Sequence, residues 1–156
     1  PEVARYMLTN VEYDLSAQRM WFERISRDPS CNYWVIEYGG IPIGLFNLAA
    51  IDKISRKCSA GYYRGAREYR QLGAMVPPYF YNYVFNDMRF HKIYGEVVEG
   101  NDNVLKMHRL HGYRQVGVYK DHLFKDERFQ DVFLIELLAE TWLSQKKYRK
   151  YVVEWE

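Results

Sequence analysis

Cysteine is nearly absent from this chain of 156 residues: Cys31 and Cys58 stand far apart, in no metal-binding or redox spacing. That excludes a disulfide scaffold and fits reduced thiols in a cytoplasmic protein. Charge of one sign is lacking too. The 22 basic residues nearly balance 20 acidic ones, a formal +2, which gives no case for nucleic acid or an anionic membrane as partner. No apolar run approaches the roughly 20 residues that span a bilayer, and the opening Pro-Glu-Val-Ala-Arg lacks the pattern of a signal peptide. Repeats, low-complexity stretches and linkers are missing, so residues 1–156 read as one globular domain with a C-terminal tail over 142–156. Aromatic residues are what is plentiful, with 15 Tyr, 8 Phe and 4 Trp. They serve a Tyr-rich core and surface, or a groove that stacks a sugar ring or a base; both readings stay open.

Periodicity divides the chain into short elements. "YDLSAQRMWFERISRD" reads as a helix capped by Asp14 or Ser16, with Trp21 and Ile25 on one face. "NYWVIEYGGIPIGLFNLAAID" reads as two strands turning at Gly39-Gly40. "SRKCSAGYYRG" is a third strand. "MVPPYFYNYVFNDM" is apolar at helical spacing through Phe80, Val84, Phe85 and Met88. "KIYGEVVE" is a strand, "NDNVLKMHRLH" a helix with Gly112 just past its end, and "YRQVGVY" and "DVFLIELL" are closing strands. Hairpins come first and crossovers later, which predicts an α/β fold with a mixed, mostly antiparallel central sheet flanked by helices. The basic run in "LSQKKYRKYVVEWE" reads as a solvated tail or helix end.

One stretch is more specific. In "EVVEGNDNVLKMHRLHGY" a strand carrying two acids turns at Gly-Asn-Asp-Asn into a helix that Gly-Tyr closes. Asn101, Gly112 and Tyr113 keep the spacing of a signature that resembles the GCN5-related N-acetyltransferase superfamily. Upstream, "AGYYRGAREYRQLGAM" stands where that family has its acetyl-CoA strand and pyrophosphate loop. Within the superfamily, "PEVARYM", "VLKMH" and "LLAETW" look most like the nucleotide-sugar branch of the pseudaminic-acid pathway. The resemblance implies direct acetyl transfer from acetyl-CoA to the amino group of a nucleotide-linked sugar, a UDP-linked 4-amino-4,6-dideoxy sugar in that branch. It leaves a homodimer open. The chain starts after the strand and partial helix that open the family fold. It also departs from the loop pattern Arg/Gln-x-x-Gly-x-Gly/Ala: either alignment of residues 68–75 keeps one Gly, Gly73. Two alternatives stand beside it: acetylation of a protein N-terminus, as in the ribosomal-protein branch, and a non-catalytic domain binding a nucleotide or a partner.

The chemistry assigns candidate roles. A loop leading into a helix can hold pyrophosphate on unpartnered N–H groups. Arg70, Gln71, Leu72, Gly73 and Ala74 form that loop, with Arg64, Arg67 and Arg70 on its approach. Pro77 and Pro78 lack N–H groups, so the helix starts at them or bends there. By the resemblance, Tyr62, Tyr63 and Arg64 lie along the cofactor's arm. An alkylammonium must lose a proton before it attacks, and Glu96, mid-strand, is the candidate base; Glu99 reads as structural. His108 lies two helical turns after Asn101, on the same side. It can donate a proton or a hydrogen bond to the departing sulfur, or simply pack. Asn101 caps the helix, anchors the cofactor, or both. His108 and His111 have no third ligand placed by sequence, so no metal is expected. Arg5, Arg19 and Trp21 are the candidates for the acceptor.

Overall fold

The computed structural model describes residues 14–65 and 67–154, with Arg67, Arg70 and Gln71 described by their backbone alone. The order is α1 (Leu15–Ile25), β1 (Asn32–Tyr38), β2 (Ile41–Asp52), β3 (Lys57–Arg64), a 3₁₀ segment (Arg67–Leu72), α2 (Pro77–Asn82), β4 (Lys92–Val98), α3 (Asp102–Leu110), β5 (Arg114–Lys125), β6 (Arg128–Leu138) and α4 (Ala139–Ser144). Among the described residues six strands form one sheet in the order β1-β2-β3-β4-β6-β5. All neighbours are antiparallel except β3 and β4. This is the mixed, mostly antiparallel α/β sheet that the hairpin and crossover pattern predicts.

Local chemistry explains the elements. Asp14 caps α1 by accepting from the Ser16 and Ala17 N–H groups. Ala17, Trp21 and Ile25, four apart, form its half-buried stripe. The β1–β2 turn puts both Gly39 and Gly40 at positive φ, +58° and +77°, as a two-residue hairpin requires. Prolines open α2 at its first helical positions, where a missing N–H removes no helical bond. Its continuation, Tyr83–Asp87, is a π-helical turn.

The sheet has two unlike faces. On the inner face the Phe46 ring of β2 stacks on Phe80 of α2 at 3.8 Å. Trp34, Leu48, Cys58, Ile93, Val97, Ile135 and Leu137 join that core with Tyr81, Val84, Phe85, Leu105 and Tyr113. The outer face carries α1, whose Trp21 sets its ring edge against Tyr33 at 5.3 Å.

The C-terminal segment differs from the expected solvated tail. Lys146, Lys147, Arg149 and Lys150 are exposed, but Trp142 and Tyr148 are buried and stack at 4.7 Å. Asn82 of α2 accepts from the Trp142 indole N–H at 2.8 Å and donates to the carbonyls of Tyr148 and Tyr151. The run is charged on one side and apolar on the other, and the apolar side docks.

Candidate active site

β3 and β4 pair only at Lys57–Lys92, Cys58–Ile93 and Ser59–Tyr94. Beyond Ser59, β3 continues to Arg64 along β2, and β4 continues to Val98 along β6. The two strands therefore part into a wedge, and their facing edges do not pair with each other. An extended ligand with amide groups can bond such edges as an added strand does.

Alternation sorts the side chains onto the two sides of this wedge. Tyr63 and Glu96 point outward and are exposed. Tyr62 points inward, its ring 6.3 Å from Phe46. Beneath the wedge Tyr81 and Tyr113 share a hydroxyl hydrogen bond, and burial pushes both phenols well up from their ordinary range. Burial also raises the Tyr62 phenol and drives the Cys58 thiol up to about 12.

His108 joins the inner side through the end of α3. The Tyr113 N–H bonds the His108 carbonyl at 3.0 Å, and the Gly112 N–H bonds that of Arg109 at 3.0 Å. This is a Schellman closure, with Gly112 at φ +96°. It lays the Tyr113 ring on the His108 imidazole, 4.5 Å between centroids. The His108 Nδ1 is buried without a partner. Burial, then the nearby His111, lowers the His108 pKa to about 4. At neutral pH the imidazole is uncharged, which corrects its reading as a proton donor: it has one N–H to share. An unpartnered lone pair is tolerated better than an unpartnered buried N–H, so the proton sits on Nε2.

The remaining candidates fall as follows. Glu96 stands exposed on the outer face of β4, and His108 packs on Tyr113 on the inner side. Arg64 ends β3, half-buried. The backbone of Arg70, Gln71 and Leu72 forms the 3₁₀ segment, and Gly73 and Ala74 the turn before α2. The Ala74 carbonyl turns inward, 2.9 Å from the His111 Nε2, so His111 braces the loop. Among the described residues no group of His, Cys, Asp or Glu could hold a metal. Asn101 occupies the N-cap position without a side-chain cap bond; its carbonyl takes the Val104 and Leu105 N–H groups instead. That corrects its reading as a side-chain cap. Glu99 accepts from the Asp131 N–H and faces Arg128, a structural role. Arg19 is exposed and Trp21 half-buried. Two residues apart on α1, they face different directions and do not converge on one ligand. Arg5 lies outside the described residues. A pocket lined by Asn82, Asn86, Trp142 and Arg149 lies beside the C-terminal segment and holds none of these candidates.

Residues 1–114 match the profile of the acetyltransferase (GNAT) domain. The chain belongs to this family. It is an acetyl-CoA-dependent N-acetyltransferase. The fold agrees. The spermidine N-acetyltransferase of Vibrio cholerae in complex with CoA and spermine superposes with a TM-score of 0.84 at 21% identity, over 91% of this chain and 85% of that one. The spermidine/spermine N-acetyltransferase of the same organism in complex with manganese ions gives 0.78 at 20% identity, over 92% and 85%. Comparison with curated proteins gives no match. Sequence reasoning passed over Asn47, which the strand register sets beside Gly61 on the outer face.

Proposed function

We propose that this GNAT domain moves the acetyl group of acetyl-CoA directly onto the amino group of a nucleotide-linked amino sugar. The outer side of the wedge supports this reading: it is aromatic, with Tyr63 and the Trp21–Tyr33 pair, and carries an exposed carboxylate, Glu96. Glu96 takes the ammonium proton. The freed nitrogen attacks the thioester carbonyl, the C–S bond breaks, the sulfur leaves as thiolate, and the acylated nitrogen gives its second proton to water. His108 offers that sulfur a hydrogen bond from its neutral imidazole, and the proton that completes the thiol comes from water. The thiol of Cys58, held near 12, does not compete as an acyl carrier, which favours one-step transfer.

The pyrophosphate falls to the loop at Gly73 and Ala74. Pro77 and Pro78 deprive the helix start of N–H donors, so arginine forks carry more of that contact.

A second reading comes from the Vibrio cholerae neighbours, whose names give spermidine and spermine as ligands. A polyamine carries several positive charges and needs several unneutralised carboxylates. Here Glu136, on the same face as Glu96, is already bonded by Lys92 and Arg114. That takes Glu136 out of a polyamine site and favours the sugar, while Glu23 of α1 and Glu37 of β1 stay exposed.

The test is release of free thiol from acetyl-CoA with a UDP-linked 4-amino sugar, spermine or a short peptide as acceptor. The sugar is expected to turn over fastest; turnover of spermine or peptide with none of the sugar overturns the assignment. Glu96→Gln is expected to lower kcat by about 10²-fold or more with acetyl-CoA affinity nearly intact.

A further inference from the structure

Four positions on the outer face lie on one level. Tyr33 of β1 pairs with Asn47 of β2, and Asn47 pairs with Gly61 of β3. The parallel register of Ser59 with Tyr94, continued past that last pair, brings Gly61 level with Glu96 of β4. Along this row Trp21 stands against Tyr33 at one end and the candidate base stands at the other. Between them Gly61 presents no side chain. The Asn47 carboxamide lies across the glycine instead: a methyl at position 61 would collide with Asn47 Oδ1 and come within 3.2 Å of its Cγ. Gly61 has no positive φ to explain it. What the glycine provides is room for the carboxamide, on the strand that borders the wedge and in the row that Glu96 ends.

We infer that Asn47 is an acceptor-binding residue that orients the amine for Glu96. The inference rests on the reading of the outer face as the acceptor side. A carboxamide offers two donors and an acceptor with no net charge. It can bond a hydroxyl or acetamido group beside the amine on a sugar ring without competing for the amine's charge. Gly61 is its positioning partner: without a Cβ it leaves the carboxamide flat on the strand and the lane to the wedge open. A ring held by Asn47 on one side and aromatic faces on the other has few orientations left, and that pre-orientation is what a poised transfer needs.

Initial-rate kinetics on the full chain test this, with acetyl-CoA and, as acceptors, a UDP-linked 4-amino sugar and spermine. Asn47→Ala is expected to raise the KM of the sugar about three- to tenfold, the scale of one lost hydrogen bond, and to leave the KM of acetyl-CoA unchanged. Spermine, which has no ring hydroxyl, is expected to show no such rise. Gly61→Ala is expected to shift the sugar KM in the same direction, because its methyl takes the place of the carboxamide. The double variant with Asn47→Ala is expected to lose no more than the worse single. A purely structural pair would lower Tm and leave the acceptor KM alone. Unchanged sugar KM in folded Asn47→Ala, with kcat reduced in Glu96→Gln, overturns the role of Asn47 and spares the outer-face reading. Unaltered acceptor kinetics in Asn47→Ala, Glu96→Gln and Tyr63→Ala together overturn the outer-face reading itself.

Discussion

Burial decides what His108 can do. Its proton is lost near pH 4, against an ordinary 6.5, so the unfolded chain takes up a proton that the folded chain refuses. The neutral form contributes fully to stability above pH 6.5, and that contribution is lost as pH falls from 6.5 towards 4. His111, also lowered by burial, acts in the same direction. Thermal unfolding at pH 7 and pH 4.5 is expected to show a smaller acid loss in His108→Phe than in the unaltered protein, by about 2–3 kcal/mol. An equal loss in both would mean that His108 is solvated enough to ionise in place. The sequence placed His108 correctly, two turns below Asn101, but not its charge state. That depends on Tyr113 folding back over the ring and on His111 beside it, which spacing alone does not express.

At the scale of elements, α3 shows why some of the sequence was readable. The interval from Asn101 to Gly112 is the length of a helix plus its closure, and positive φ at the closing residue demands glycine there. The Gly39-Gly40 hairpin and the proline start of α2 are legible for the same reason: backbone geometry restricts the residue type at one position. Gly112 has a further constraint. A methyl there would come within 2.8 Å of Gln145 Nε2 and 3.1 Å of Thr141 Cγ2, and Gln145 donates to the His111 carbonyl at 2.8 Å. Gly112→Ala is therefore expected to destabilise by about 1–3 kcal/mol, read as a lower Tm by thermal unfolding. A change under half a degree would show that α3 closes without this motif. Asn101 is where such reading misleads, because an Asn at a helix start suggests a cap and the cap bond is not made.

Across the whole molecule, what escaped the sequence is what joins distant segments. Nothing local marks Asn82, yet its carboxamide holds three groups more than 50 positions away in the chain. Nothing local marks Asn47 either, which reaches its row through two strand registers. Asn82→Ala would strand a buried indole N–H and two carbonyls, and the expected loss is about 2–4 kcal/mol, or roughly 5–15 °C in Tm. Acetyl transfer well below the transition should survive, since no acceptor group is touched; if Tm holds, the C-terminal segment is docked by its aromatic rings alone. The parted strands carry a different consequence. Sheet edges normally lie at the margin of a fold, where any foreign strand can add to them and seed aggregation. Here two edges face each other within the sheet, and the gap closes to a normal strand spacing at Ser59 and Tyr94. Anything that enters between them has less room the nearer it comes to the apex. The sheet thus forms a taper, with its two bare edges turned towards each other and not out to the margin.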